Sequence, residues 1–324
     1  MAFRNLSPSC LAVVQAVRAW LDAACEYPVA PVRIGVSGGV DSMSLAAACA
    51  HVKQRSLPEA KVEAMIVDHQ LQESSGKVAE YAAQQLRNIG LPARVERVNV
   101  VDDGVGMEAA ARDARYAALT DHFKGMLLLA HSMDDQAETV LLGLSRGSGT
   151  RSMAGMAVES IRGETRVVRP LLGLRAQTLR QAAVDWGIDF WDDPQNAQDR
   201  FARVRARKSS LPTLEKDLGP GFTQALARTA TMAGRDADYL DAVAERELPN
   251  PGDEISVEQL AGLHPAIATR VLRRWLNHLG IEEVGFDHVE AVFRLVSAWK
   301  GQRGVDLPGS VRIRRAQGRL QAVR

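Results

Sequence analysis

The chain has 324 residues, 46% of them hydrophobic and 24% charged, which fits a soluble globular protein large enough for two domains, without repeats or low-complexity segments. A formal net charge of +1 advertises no polyanion partner for the molecule as a whole, so any nucleic-acid surface must come from local clustering. No apolar run approaches the roughly 18 residues needed to span a bilayer. Cys10, Cys25 and Cys49 form no CxxC pair, which argues for a reducing cytoplasm and against a zinc ribbon or disulfide frame.

The first stretch, MAFRNLSPSCLAVVQAVRAW, carries Arg18 and polar residues inside its apolar run. It reads as an amphipathic helix capped near Ser7 or Ser9, not as a signal peptide. Residues 30–170 then alternate β runs (32–37, 62–68, 94–100, 126–131 and 166–170) with helical patterns (42–54, 75–89, 107–123 and 133–146). That alternation predicts an α/β fold, a parallel sheet with helices on both faces. In such sheets ligands sit at the carboxyl ends of the strands, and the polar residues of interest all follow strands.

After the first strand comes SGGVDS: Ser37, Gly38, Gly39, Val40, Asp41 and Ser42. Strand, glycine turn and helix start place backbone N–H groups and the positive helix end at one spot, an anion site. Asp41 would repel phosphate unless a metal or a hydrogen-bond network neutralises it, so it points to Mg²⁺ or to orientation of the loop. The second strand ends at Asp68 and His69, where the imidazole either contacts nucleotide phosphate or only caps the strand. In EAAARDARY, Glu108, Arg112 and Arg115 share one helix face, either as a solvated salt-bridged face or as a clamp on phosphate or a base. The fourth strand delivers His131. The helix after it presents Asp134, Asp135 and Glu138, which are either favourable dipole chemistry or a holder for Mg²⁺ or a cationic amine. The turn 146–149, which includes Ser148, ends that helix.

Residues 175–190 read as a further helix, followed by Asp192, Asp193, Pro194 and Asn196. Arg200, Arg203, Arg205, Arg207 and Lys208 then place five basic residues in nine with no acid among them. The stripe suits either a solvated helix face or a phosphate backbone. From Leu211 the alternation stops. Helices are predicted over 220–247, 256–280 and 285–299, with a terminal hairpin at VRIRRAQGRL. From Arg294 onward eight basic residues face one acid, Asp306. The expected division is 1–210 for the α/β domain and 211–324 for a smaller, mainly helical one with a basic tail.

SGGVDS resembles the pyrophosphate-binding loop of the N-type ATP pyrophosphatases, which implies an adenine nucleotide alpha hydrolase-like fold and cleavage of ATP between its α and β phosphates. Taken with VDHQLQ, EAAARDARY, AHSMDDQAET, LSRGSG and VVRPLL in this order, the chain resembles the tRNA(Ile)-lysidine synthetase family, strongly over 30–215 and weakly beyond. The resemblance implies ATP and Mg²⁺ as cofactors, with L-lysine and an isoleucine tRNA bearing a CAU anticodon as partners. It also implies a cytoplasmic location, no membrane, an oligomeric state left open to a homodimer, and absence of the further C-terminal domain of longer members. Residues 37–42, Asp68 and His69 would bind the nucleotide, with Asp41 toward Mg²⁺. Asp41, Arg112, Asp135, Glu138 and Arg205 would serve catalysis, and Arg115, His131, Asp134 and Arg203 the substrates. Asp192, Asp193, Pro194 and Asn196 resemble the family's acidic turn. The Arg-Asn pair that the family often carries nearby is here Arg200-Phe201-Ala202-Arg203, which leaves the roles of Arg203 and Arg205 open. Rival readings are a tRNA thiolase, disfavoured by the lack of CxxC, an ammonia-dependent synthetase, and a non-catalytic nucleotide-binding module.

Overall fold

The computed structural model describes residues 6–25, 30–71, 74–101, 104, 106–147, 149–192, 201–281 and 284–323. The sequence expectations at Ser148, Asp193, Pro194, Asn196 and Arg200, and for the side chain of Glu108, lie outside the described residues. The chain forms two compact units, one of 1–142 with 155–228, the other of 143–154 with 229–324.

The first unit opens with helix α1 (Pro8–Cys25), whose start Ser7 caps by accepting the Cys10 N–H at 3.2 Å. Then follow β1 (Val32–Val36), α2 (Val40–Ser56), β2 (Val62–Asp68), α3 (Ser75–Asn88), β3 (Ala93–Arg97), α4 (Met107–Thr120), β4 (Met126–Leu129) and α5 (Met133–Ser145). Strands β5 (Glu159–Arg162) and β6 (Thr165–Val168) precede α7 (Ala176–Trp186); the short α6 (Thr150–Met153) falls in the second unit. The sheet order is β3-β2-β1-β4-β6-β5, parallel throughout except for the β5–β6 hairpin. The hairpin departs from the single strand expected over 166–170. Its turn runs through Gly163 at φ +56°, a left-handed conformation that glycine adopts without steric cost.

Alternate residues of each strand feed opposite layers, as the two-residue period of a strand requires. Ile34, Ala64, Ile66 and Leu128 join α1, α2, α3 and α7 in one core cluster. Met65, Val67, Leu127, Leu129 and Val167 join Tyr116 and Leu119 of α4 in another, which puts helices on both faces. Gly125 precedes β4 where the backbones pack tightest: a Cβ there would sit 2.3 Å from the Pro31 carbonyl oxygen and 2.9 Å from Phe123. Gly125→Ala is expected to destabilise the protein by about 1–3 kcal/mol, read as a lower denaturation midpoint with unchanged slope.

Strand order reverses between β1 and β4, because β1 is followed in space by β2 on one side and β4 on the other. The carboxyl ends of β1 and β4 therefore flank the crevice where such sheets bind ligands. The basic stripe continues the first unit as α8 (Ala202–Arg205), a π-helical turn over 206–210, α9 (Leu211–Leu218) and the start of α10 (Phe222–Glu247). The stripe is helical, as its solvated-face reading expects, while helix over Leu211–Leu218 lies outside the helices that the sequence predicts.

The second unit packs α11 (Val257–Ala261), α12 (Pro265–His278) and α13 (Phe286–Ser297) with a four-stranded antiparallel sheet. Its strand order is β7-β10-β9-β8, from β7 (Glu254–Ser256), β8 (Val305–Leu307), β9 (Val311–Ala316) and β10 (Arg319–Val323). Trp275, Leu272, Val292, Leu295, Ile313 and Leu320 form its core. The helix expected over 256–280 is broken at Pro265, which sits at the first position of α12 while His264 caps it through Nδ1. The expected hairpin is two of the four strands. Val311 and Ile313 of β9 point inward and Arg312 and Arg314 outward, as alternation requires. Arg312 pairs with Asp306 and Arg319 with Glu254. No helix among the described residues is long and apolar enough to cross a membrane.

Candidate active site

Gly38 leaves β1 at φ +82°, and Gly39 caps α2 in an extended conformation without a side-chain bond to the helix. The first turn of α2 therefore starts without the usual hydroxyl or carboxyl cap, which leaves its N–H groups suited to an anion. Buried Ser42 ties the loop: its hydroxyl accepts the Ser37 N–H at 3.1 Å and donates to the Gly39 carbonyl at 2.8 Å, with Ser37 Oγ 3.2 Å away. The Trp191 N–H donates to the Gly38 carbonyl at 2.9 Å and fixes the loop from the end of the α7 segment.

Asp41 follows in the first turn of α2. One of its carboxylate oxygens, Oδ1, is buried without a hydrogen-bond partner. Burial and the neighbouring Asp135 push its pKa from 3.8 up to about 7, against the pull of Arg207. An orphaned carboxylate oxygen beside an anion loop fits a hard divalent cation. Mg²⁺ typically takes one or two carboxylates and completes its shell with phosphates and water. Among the described residues no group of three or more acids, histidines or cysteines forms a ready-made metal cage.

At the end of β2, Asp68 is buried and accepts the Gln70 N–H at 3.0 Å. His69 Nδ1 is buried and unpartnered; burial and Arg115 hold its pKa below the ordinary value, so the ring is neutral.

At the end of β4, Ser132 and Asp135 close a reciprocal cap on α5. Asp135 Oδ2 accepts the Ser132 N–H at 2.8 Å and its hydroxyl at 2.9 Å, and the Asp135 N–H reaches Ser132 Oγ at 3.3 Å. One turn on, Glu138 is completely buried. Arg207 spans the two acids: Nε to Glu138 Oε1 at 2.5 Å, Nη2 to Glu138 Oε2 at 3.1 Å and to Asp135 Oδ1 at 2.9 Å. Arg203 lies 3.4 Å from Glu138 Oε2 and donates to Thr139 at 2.9 Å. Burial nevertheless holds the Glu138 carboxyl above the usual range. Asp134 turns the other way, toward Arg175 at 3.1 Å and the Ala176 N–H at 2.7 Å, where it caps α7.

The third group gathers around Tyr116. Arg112, Arg115 and Arg162 place their guanidinium carbons 5.2, 6.0 and 4.0 Å from its ring centre, and Arg169 donates to its hydroxyl at 3.3 Å. Arg169 is almost fully buried, with Nε unpartnered. His131 shares this environment: burial, then Arg169, Arg115 and Arg112 against Asp135, take its pKa down to about 3, so it carries no charge at neutral pH. A cluster this rich in guanidinium suits a phosphate or a nucleobase.

The loop, the acids and this cationic cluster thus meet at the strand ends. Arg205 is exposed, while Arg203 and Arg207 reach the acids. Of the stripe, sequence reasoning singled out Arg203 and Arg205 as site residues and passed over Arg207; it also passed over Arg169, Arg175 and Trp191. The four-residue step from Arg203 to Arg207 is the signal that marks Arg207, since i and i+4 share a helix face.

A glycine anion loop at the switch point of a mainly parallel sheet, with an acid in its first helical turn, defines the PP-loop class. Residues 15–214 match the family model described as PP-loop domain, and residues 255–321 the model described as TilS substrate binding domain. The tRNA(Ile)-lysidine synthase of Rhodococcus erythropolis (strain PR4) is 44% identical over 322 residues, 98% of this chain and 94% of that one. That of Mycobacterium tuberculosis (strain H37Rv) is 43% identical over 311 residues, 94% of this chain and 91% of that one. The chain belongs to the tRNA(Ile)-lysidine synthase family. A solved U34-tRNA thiolase, NcsA from Methanococcus maripaludis, shares the fold with TM-score 0.58 at 15% identity, over 70% of this chain and 80% of that one.

Proposed function

We propose that the chain is an ATP-dependent carbon–nitrogen ligase that joins L-lysine to the wobble cytidine of a CAU-anticodon isoleucine tRNA. The observation that carries this is the pairing of an anion loop at β1 with two carboxylates, Asp135 and the buried Glu138, bridged by Arg207 after β4, across one crevice. A phosphate-releasing step and an amine-using step then share a floor.

The cytidine 2-oxygen attacks the α-phosphorus of ATP, the bond to the β-phosphate breaks, and pyrophosphate leaves into the 37–42 loop. Loop N–H groups and the α2 N-terminus stabilise the departing charge. A Mg²⁺ held by Asp41 and the phosphates would neutralise part of it. Arg112, Arg115 and Arg169, with the neutral His131 and His69, hold the nucleotides. The lysine ε-nitrogen then attacks the 2-carbon, the bond from that carbon to the AMP oxygen breaks, and AMP leaves. The ε-amine is protonated in water, with a reference pKa of about 10.4, so the site must take its proton. Glu138, whose carboxyl burial pushes upward, is the acceptor, and Asp135 holds the ammonium beforehand. We place the chemistry in 1–210 and the holding of tRNA in 211–324, where the outward arginines of β9 face phosphate. The enzyme works in the cytoplasm, and a homodimer is compatible with this scheme.

The test is pyrophosphate release with ATP, lysine and unmodified CAU isoleucine tRNA, each omitted in turn. Release that needs the tRNA, with labelled lysine recovered on it, is expected. Release that ignores the tRNA would move the chain to another PP-loop chemistry.

A further inference from the structure

Segment 187–192 leaves α7 through Gly187, left-handed at φ +66°, and runs beside the anion loop. Ile188 and Phe190 pack on the first core cluster, while Asp189 and Trp191 are exposed. The Trp191 N–H meets the Gly38 carbonyl at 2.9 Å. We propose that Tyr81 and Gln85 of α3 are positioning residues for the anion loop: they hold segment 187–192, and through the Trp191 N–H that segment holds the Gly38–Gly39 peptide plane in the orientation that binds pyrophosphate. This rests on the role proposed above for 37–42.

Both side chains fasten the segment at Asp189. Tyr81 donates its hydroxyl to Asp189 Oδ2 at 2.6 Å. That bond to a carboxylate holds the phenol pKa above its ordinary value, so the donor keeps its proton. Gln85 takes both backbone groups of the same residue, accepting the Asp189 N–H at 2.9 Å and donating to the Asp189 carbonyl at 3.0 Å. One amide side chain thus supplies what a paired strand would.

The same helix touches the loop itself. Val78, Tyr81, Ala82 and Gln85 fall at i, i+3, i+4 and i+7, on one face of α3. A Cβ on Gly38 would stand 3.6 Å from Val78 and 3.7 Å from Ala82. Those are ordinary contact distances, so glycine at 38 answers to its φ of +82° and not to crowding. One face of α3 therefore backs the loop and grips the segment that ties it.

The tie acts on a peptide plane. In a planar trans peptide the Gly38 carbonyl and the Gly39 N–H point in opposite directions, so anchoring one aims the other. The Gly39 N–H makes a long 3.4 Å contact with Ser37 Oγ, which a phosphate oxygen can displace. With glycine on both sides, this plane turns over at little steric cost. Turned over, it would offer pyrophosphate a carbonyl oxygen in place of a donor. The bond from Trp191 holds it the right way round.

The experiment titrates inorganic pyrophosphate with Mg²⁺ into the full chain. It also follows backbone hydrogen exchange at 187–192 and turnover with ATP, lysine and CAU isoleucine tRNA. Wild type is compared with Tyr81→Phe/Gln85→Leu and with Gln84→Leu, a change on the same helix at a side chain that bonds Asn88. The double variant is expected to exchange the segment amides faster, to bind pyrophosphate about 5–30-fold more weakly and to raise the KM for ATP by a similar factor, with the KM for lysine within about 2-fold. Gln84→Leu should match wild type. A role in stability alone would shift the melting temperature and leave the two KM values in their wild-type ratio. Asp189→Asn keeps an acceptor for Tyr81 and should retain more pyrophosphate affinity than Asp189→Ala. Unchanged pyrophosphate affinity in the folded double variant, or in Asp189→Ala where the double variant does not fold, overturns the proposal, as does an equal loss in Gln84→Leu. Wild type that neither binds pyrophosphate nor releases it from ATP overturns the role of 37–42, and this proposal with it.

Discussion

Asp41→Asn is expected to lower tRNA-dependent pyrophosphate release by about 10²–10³ and, at the same time, to make the ligand-free protein more stable at neutral pH. The two effects have one cause. Asp41 is an acid held beside Asp135 with a buried oxygen that nothing bonds, and its pKa rises from 3.8 to about 7 on folding. Such a group stabilises the fold only while protonated. Its contribution is intact below pH 4 and is lost as pH rises through 7, because the unfolded chain ionises freely and the folded one does so at a cost. Three pKa units correspond to about 4 kcal/mol. The buried asparagine amide gives back part of that, leaving a net gain of about 1–3 kcal/mol. Thermal melts in chelator from pH 4 to 8 should show wild type losing stability between pH 4 and 7 while the variant stays level, so that the variant leads at neutral pH and its lead is lost toward pH 4. Parallel melting curves across that range would remove the buried charge from the account. A variant that is both dead and sturdier is the outcome expected where a charge is kept for a ligand at the expense of the fold.

The parts of this site legible in sequence are those whose geometry is local. SGGVDS announces an anion loop because a strand, a left-handed glycine and a helix start follow one another within a few residues, and the structure builds them so. Asp135 and Glu138 are likewise fixed by one short helix and the strand before it. What escaped depends on partners far along the chain or on a break in periodicity. Asp134 and Glu138 look equivalent by spacing, yet Arg175, 41 residues away, turns Asp134 into a cap for α7. The stripe carries basic residues at 203, 205 and 207 and runs into a π-helical turn over 206–210, so Arg207 is picked out over Arg205 only by its i, i+4 step from Arg203, once one of the two is known to face the acids. The β5 strand is four residues long, mostly exposed and on the sheet edge, so it carries no apolar run to betray it. Pro265 was a breaker in plain view within a stretch otherwise helical on both sides.

Glu138→Gln is expected to separate the two half-reactions. Adenylation of the tRNA, read as a pyrophosphate burst, should survive within about 10-fold, since Asp41 and the loop are untouched. Lysine transfer should fall by about 10²–10⁴, the range for removal of a positioned general base. The variant should therefore accumulate adenylated tRNA that wild type turns over. Arg207 makes the pH dependence diagnostic. Glu138 must be ionised to take a proton from the amine; burial pushes its carboxyl upward and Arg207 pulls it back. In Arg207→Ala the pull is lost, so the acid limb of the transfer rate should move to higher pH, while that of the pyrophosphate burst moves less. Glu138 is fully buried and Arg207 half exposed, so the truncation should also cost about 1–3 kcal/mol of stability, the penalty for leaving a buried carboxylate without its main donor. Asp135→Asn serves as the comparison. Asp135 keeps its Ser132 contacts and should hold the ammonium without receiving the proton, so that variant should raise the lysine KM more than it lowers transfer at saturation. If Glu138→Gln instead loses the burst and the transfer together, the carboxylate acts before the amine arrives, and the base must be sought at Asp135.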